Sequence, residues 1–401
     1  STGAVFGNTN VGGFIGRATL DNLVQSYTRS KAYARTPPAY AFVANPSGTT
    51  VNWMNNYWDS EIESSDGTNL LASDAGKYES RTTTQLKSKL SPLNGFDMTN
   101  DWTMVDGSSF PIHRWDIRAQ CILNANASTY NAIGNGVLGD PYILCNKQQL
   151  SHLTTDGCGI GASVDCNKVF YLGADIDLKN SAPTQQIGVY PNNCFSGIFD
   201  GHLGSIISYS YTAGSDDKGL FNCNSGTIRN LKMKNIFMQA DDQVSGLVVY
   251  SDNGKIINSH VDGVIDAGGY HIGGLVARSY NRSLILYSSF SGTLNGNSRI
   301  GGILGRGDGH EIIMNSNSYI KDMEINSSAA GILGATLSPA SDGGIYKTFS
   351  LGAITDTGSG YAVAGISTGG GKVYESFSGL DITLSATASY ASGLGASDAD
   401  F

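Results

Sequence analysis

The sequence predicts an all-β chain wound as a parallel β-helix, a solenoid of stacked coils, and three observations carry that expectation. First, a glycine phrase recurs as Gly219-Leu-Phe, Gly246-Leu-Val, Gly274-Leu-Val, Gly302-Ile-Leu, Gly331-Ile-Leu, Gly365-Ile-Ser and Gly393-Leu-Gly, in steps of 27, 28, 28, 29, 34 and 28 residues. A fixed period of this size marks coils that stack on one another. Second, an alternating phrase follows each glycine, as in Thr227-Ile-Arg-Asn-Leu-Lys-Met, Lys255-Ile-Ile-Asn-Ser-His-Val and Leu284-Ile-Leu-Tyr-Ser-Ser-Phe. Its apolar residues have the strand period of two, not the helical 3.6. Third, the intervals hold corner-forming residues, such as Ser251-Asp-Asn-Gly254 and Gly307-Asp-Gly309. One coil cannot bury enough apolar surface to offset its ordering entropy, so neighbouring coils must complete each other's sheets and interior.

In chain order, Asn10-Val-Gly-Gly-Phe-Ile-Gly16 is the glycine phrase and Leu23-Val-Gln-Ser-Tyr27 the strand phrase of an N-terminal coil. Residues 35–77 depart from the repeat, with Pro37-Pro38 and a polar Ser/Asp/Gly tract around Asn56-Tyr-Trp-Asp59. Thr82 to Leu90 suits one short helix capped by a threonine. Aromatic segments around Trp102 and from Phe110 to Trp115 close this first section, residues 1–115. Residues 116–139 read as a connector. The second section, 140–401, opens with Asp140-Pro-Tyr-Ile-Leu. A helix over Lys147 to Leu153 would cover the apolar core and the unpaired strand edges of its first coil. Val169 to Leu178 and Phe195 to His202 are its first strands, and the counted coils follow.

Why a glycine should head each phrase has a steric answer. The backbone either turns sharply there or packs too closely for a Cβ. A phosphate-binding loop would need a following helix, which this spacing does not offer.

Composition narrows the function classes. The chain has 401 residues, 52 glycines and a net charge of −9, which argues against nucleic acid and anionic membrane surfaces as partners. No apolar run approaches a membrane span. With no initiating Met and no signal peptide, Ser1 reads as a processed end or the start of an excised fragment. Six cysteines cluster between Cys121 and Cys223 without metal-binding spacing, which predicts disulfides and an oxidising, extracellular compartment. Cys158 and Cys166 flank a short loop and form the first expected pair. Cys121 with Cys145, and Cys194 with Cys223, follow by proximity.

Catalytic constellations are incomplete. His310-Glu-Ile-Ile-Met314 resembles the zinc-peptidase motif but carries Met314 at the second ligand position and lies in a strand phrase. Asp175 and Asp177 alternate onto one face, as a sugar-cleaving or calcium-binding pair would, with corner hydrogen bonding as the plainer role. Asp216-Asp217 and Asp241-Asp242 precede successive glycine phrases, so stacking could unite them as calcium ligands; solvated loop charges are the alternative. No other cofactor is expected. Tyr250, Tyr270, Tyr280, Tyr287 and Tyr319 recur along the coils, and Trp53, Tyr57 and Trp58 cluster in the first section. Such aromatics serve either as packing or as a sugar-binding face.

Several of these stretches together resemble the GLUG-motif repeat family of bacterial surface proteins. The resemblance rests on Tyr142-Ile-Leu with Gln149-Leu, Ala174-Asp-Ile-Asp-Leu178, Phe195-Ser-Gly-Ile-Phe-Asp-Gly201, and Gly219-Leu-Phe with Gly226-Thr-Ile-Arg-Asn-Leu231. Tyr57-Trp-Asp59, Thr84-Gln-Leu-Lys87 and Trp102 through Pro111 resemble the module that closes such arrays. The resemblance implies a secreted or surface-anchored, adhesin-like solenoid with no catalytic residues of its own. Here the closing module precedes a fresh array, as in a piece of a longer multi-array protein. The alternative is complementary ends, which would stack copies head to tail into a filament. The expected function is therefore an extracellular structural or adhesive repeat protein, not an enzyme. Its partners would be further copies of itself, or host or biofilm surface glycans and proteins. A glycan-binding module and a β-helix polysaccharide-degrading enzyme are the alternatives.

Overall fold

A computed structural model describes residues 2–9, 11–18, 22–36, 39–40, 42–46, 52–62, 78–88, 93, 95–104, 106–183, 185–212, 217–336, 343–358, 362–367, 372–385 and 391–393. The chain divides into two compact units, residues 1–123 and 124–401. The boundary falls inside the 116–139 stretch.

In the second unit each full coil contributes four short strands, and equivalent strands stack in parallel into four sheets. The coil around Gly246 is representative. It runs through Val244–Ser245, Val248–Asp252, Lys255–Ile257 and His260–Ala267. The sheet containing Lys255–Ile257 has nine strands and that containing His260–Ala267 has eight. The strand pairings within them are parallel, with β-bulges interrupting the second sheet; in the first, Ile228, Ile256, Ile285, Ile313, Ile345 and Val373 lie over one another. The first five of these are buried, as are Leu247, Leu275, Ile303, Ile332 and Ile366 after the corner glycines. Each side chain thus packs on its own counterpart, and the core is continuous from coil to coil.

The alternating phrase is not one strand. It breaks into two strands at a residue in the left-handed region: Asn230, Asn258, Tyr287, Asn315, Lys347 and Glu375, with φ of 54°, 49°, 51°, 50°, 51° and 48°. The strand period continues on both sides of the corner, so alternation alone conceals it. Asparagine tolerates this conformation best; Tyr287, Lys347 and Glu375 adopt it at a steric cost. The next residue supplies compensation. Ser259 Oγ accepts from the Leu231 backbone N–H at 3.3 Å, Ser288 Oγ from Ser259 N–H at 3.1 Å, and Ser316 Oγ from Ser288 N–H at 3.2 Å. The same hydroxyls donate to the carbonyls of Ile257, Leu286 and Met314 at 3.1, 2.7 and 3.0 Å. A ladder of buried serines therefore satisfies the corner backbone where strand pairing lapses.

The recurrent glycines occupy another corner, between the Val244–Ser245 and Val248–Asp252 type strands. A Cβ on Gly274 would lie 2.2 Å from the Gly302 carbonyl oxygen, one on Gly302 2.1 Å from that of Gly331, and one on Gly331 2.2 Å from that of Gly365. Space, not left-handed geometry, excludes a side chain. Gly219 is less confined, its nearest neighbour being Ser245 Oγ at 3.0 Å, and nothing described lies within 4 Å of a Cβ on Gly393. Opposite the crowded corner, Ser318 and Ser350 donate to the Gly331 and Gly365 carbonyls at 2.6 and 2.5 Å. The helix Lys147–His152 lies between the first strand of the nine-stranded sheet, Tyr142–Leu144, and its neighbour Val169–Leu172, and is capped by Asn146, whose side chain accepts from the Gln149 N–H at 2.9 Å. No helix among the described residues is long and apolar enough to cross a membrane.

The first unit repeats the plan. Tyr27–Ala34 pairs in parallel with Thr2–Gly7 and with Asn56–Asp59. Val11–Gly12, Ile15–Ala18 and Asn22–Val24 pair with Ala39–Tyr40, Val43–Pro46 and Asn52–Met54. Residues 39–59 are therefore a coil, although the sequence reads as leaving the repeat at Arg35. Strands of two to four residues carry too little alternation to show in the sequence. The corner device recurs: Gln25 and Asn55 are left-handed, and Asn56 Oδ1 accepts from Ser26 N–H at 3.2 Å. A one-turn helix, Thr83–Leu86, has Thr82 and Gln85 as a capping box. It buries Leu86 with Tyr57, Leu93, Phe96 and Trp102.

Gly302→Ala is expected to destabilise the chain by at least about 2 kcal/mol, since only backbone could move to admit the methyl group. Gly139→Ala, where nothing lies within 4 Å, should stay within about 0.5 kcal/mol of the parent. Denaturant melts of the two variants check this.

Candidate functional site

In the first unit a cleft of about 690 Å³ opens between the Val24 to Tyr27 corner and the segment from Asn100 to Arg118. Its wall is an antiparallel pair, Trp102–Thr103 with Ile112–His113, which sets Trp102 opposite His113. Their rings lie 3.7 Å apart between centroids, and His113 stacks in turn on Trp115 at 5.0 Å and 16°. The stack passes from the buried Trp102 to Trp115, which is 78% exposed. An indole this open is held in place by the imidazole beneath it, not by a core.

The polar groups around the stack are fixed by one another. Arg114 donates from Nε to the Trp102 carbonyl at 2.9 Å and from Nη2 to the Met98 carbonyl at 2.7 Å. Arg118 grips Asp116 through two bonds, Nε to Oδ1 at 3.0 Å and Nη2 to Oδ2 at 2.5 Å. Hydrogen bonding from Arg118, foremost, holds the Asp116 carboxyl below the usual carboxylate range. Tyr27 donates to the Pro111 carbonyl at 2.8 Å, and burial raises its pKa. The result is a flat aromatic platform with a rim of oriented polar groups, the pattern of a small-ligand site.

The residues singled out in the sequence lie elsewhere. Cys158 is bridged to Cys166 and Cys194 to Cys223, the latter bond joining segments one coil apart. Cys121 and Cys145 are also disulfide-bonded, and no cysteine is free. The recurrent glycines sit at corners, as described. Asp216 lies outside the described residues. Asp217 accepts from the Tyr250 hydroxyl, and from the Gln243 N–H at 3.2 Å. Burial, then the Asp217 charge, raises the Asp242 pKa, so stacking does bring these two near each other. A Cβ on Gly268 would lie 3.3 Å from Asp241 Oδ1. Among the described residues no three His, Cys, Asp or Glu groups gather in a way that could hold a metal ion. Asp177 caps a corner through the Lys179 N–H at 2.9 Å.

The tyrosines separate into two sets. Tyr190, Tyr250 and Tyr280 stack on one another, and Tyr250 is buried. Tyr270, Tyr287 and Tyr319 are about half exposed. Tyr57 packs in the first unit's core and Trp58 against Phe42 and Val43; the Trp53 side chain lies outside the described residues. The sequence did contain Trp102, His113 and Trp115, but nothing local tells that their rings would stack.

The His310 to Met314 segment forms a turn and the strand Ile312–Met314, not a helix. Glu311 folds back and accepts from the Asp308 and Gly309 N–H groups at 2.6 and 2.9 Å. Burial first, then the neighbouring Asp308 carboxyl, pushes its pKa up to about 7.

No family model and no curated relative matches the chain. Among solved structures it resembles a Bacteroides ovatus protein that carries the provisional name immunoglobulin A1 protease. The TM-score is 0.53 at 21% identity, over 66% of this chain and 86% of that one. At that identity the likeness is one of fold.

Glu311 has a measurable consequence. Its folded pKa lies above its ordinary value of 4.5. The stability this group contributes is therefore fully present below about pH 4.5 and is lost as pH rises through about 7. Thermal melts from pH 5 to 8 should show a falling Tm, and Glu311→Gln should flatten that fall.

Proposed function

We propose that the chain is an extracellular, surface-displayed solenoid of the GLUG-repeat type that acts by adhesion, binding a glycan in the cleft of its first unit. The observation that carries this reading is the Trp102–His113–Trp115 stack ending in an exposed indole. A sugar ring presents a C–H face that packs on such a platform and hydroxyls that meet a polar rim. Asp116 and Arg118 pair with each other, and the cleft offers shape and a hydrogen-bonding rim that also includes Asp101. The disulfides favour an oxidising compartment, which agrees with display outside the cell.

A second reading, self-association through exposed rings of the second unit, is favoured by one contrast. Phe349 stacks under Phe377 at 5.3 Å and Tyr346 under Tyr374 at 5.3 Å. Phe377 and Tyr374 themselves are 56% and 46% exposed, apolar surface that a second copy would cover.

Titration with cello-, chito- and manno-oligosaccharides, read by tryptophan fluorescence, tests the first reading. Trp115→Ala should weaken binding at least about tenfold, while leaving Tm nearly unchanged because the side chain is exposed. Parent chain that binds none of the three sinks the reading, as does a variant that binds equally well. For the second reading, sedimentation velocity at rising concentration should show association that Phe377→Ser removes; a monomer throughout would dismiss it.

A further inference from the structure

Four cationic or neutral-imidazole side chains gather on adjacent coils of the second unit, beside the tyrosine stack that ends in Tyr280. His271 lies on Tyr270–Gly273 and Arg299 on Ser298–Gly301, paired one coil away. Arg278 on Val276–Tyr280 is directly paired with Arg306 on Leu304–Gly307. His271 Nε2 is 2.8 Å from Arg299 Nη1 and 3.1 Å from Arg306 Nη1. A guanidinium can only donate, so Nε2 accepts and the ring proton sits on Nδ1. His271 is 7% exposed. Burial, then the charges of Arg306, Arg299 and Arg278, holds its pKa down to about 3, so the ring is neutral at any ordinary pH. Its Nδ1 and the Arg278 Nε are buried without hydrogen-bond partners.

Three guanidinium groups converge here, and among the described residues none is in an ion pair. Arg278 lies over the Tyr280 ring at 4.5 Å. Concentrating like charge costs free energy, and this occurs on a chain whose net charge is −9. The fold does not require it. One coil earlier the slot of Arg278 holds Tyr250, which accepts from the Gln243 side chain at 2.5 Å, and one coil later the slot of Arg306 holds Ala335. A neutral filling is thus available at the same positions.

We propose that Arg278, Arg299 and Arg306, with His271 orienting two of them, form a binding site for an oxyanion of the sulfate, phosphate or carboxylate kind, carried on an acidic polysaccharide or free in solution. Each guanidinium is partly exposed and retains N–H donors that a planar or tetrahedral oxyanion accepts in pairs. The accepting imidazole aims Arg299 and Arg306 without adding a fourth charge. The site is independent of the first unit's cleft.

The test uses the full chain with sodium sulfate, sodium phosphate and dextran sulfate, against sodium chloride at equal ionic strength and uncharged dextran. Calorimetric titration and thermal melts should show binding and a raised Tm with the oxyanions alone. Micromolar affinity for dextran sulfate with only millimolar affinity for sulfate assigns the polysaccharide; equal affinities assign the free ion. Arg278→Gln and Arg306→Gln should each weaken binding about tenfold or more. Arg306→Lys, which keeps charge and packing but loses the fork, should also weaken it. Without anion, Arg306→Gln should keep or raise Tm, whereas a merely structural arginine would lower it. Trp115→Ala should bind the anions like the parent, which separates this site from the cleft. Absence of oxyanion-specific binding, or variants that retain parental affinity, overturns the proposal.

Discussion

Successive coils meet backbone to backbone at the glycine corner, and the rest of the second unit depends on that approach. With the carbonyl of Gly302 only 2.2 Å from where a Gly274 Cβ would sit, the coil spacing is set by peptide groups, not side chains. Peptide groups do not adapt as side chains do, so the sheets must keep step with that corner. Departures from the period are taken up in loops and in β-bulges of the eight-stranded sheet, as between Met233 and Ile236 or Ile320 and Glu324. Across the long step between Gly331 and Gly365, Ile313, Ile345 and Val373 remain paired one over another.

The serine ladder is the polar counterpart of this apolar stacking. At the left-handed corner the chain turns and its sheet hydrogen bonds lapse, leaving N–H groups beside the core. Ser259, Ser288 and Ser316 are buried there, which would cost free energy if their hydroxyls were unpaired. Each hydroxyl instead accepts from one coil and donates within its own, so the cost is met locally and the corner repeats. Because each serine serves a neighbouring coil, the corner is cooperative along the solenoid, as the apolar stack is.

How much of this could be read from the residues depended on distance along the chain. The glycine period, the buried aliphatic rows and the Thr82 helix cap arise from local patterns, and each was visible. The corner splitting the alternating phrase was not, because Asn258 and Ser259 fit a strand's polar positions as readily as a turn. The coil at residues 39–59 was missed since its strands are too short to show a period. The cleft stayed hidden for a different reason: Tyr27, Trp102 and Trp115 meet only through the tertiary fold. Arg278 and Arg306, by contrast, lie 28 residues apart. Polar residues compared at the coil period stand side by side there just as the glycines do.

That last spacing explains how a repetitive scaffold can carry distinct chemistry. The inward positions of each strand are constrained by their counterparts above and below, so a change there disturbs at least three coils. The slot shared by Tyr250, Arg278, Arg306 and Ala335 is not so bound, since an aromatic, two guanidiniums and a methyl occupy it in successive coils without a break in register. Charge placed in such a slot is duplicated one coil away at the fixed rise of a parallel sheet, about 4.8 Å. Stacked like charges at that separation repel, and the repulsion is itself a means of recognition: an anionic partner relieves it, while a neutral one gains nothing. A solenoid therefore needs no pocket to select by charge, only the same side chain in the same slot of adjacent coils.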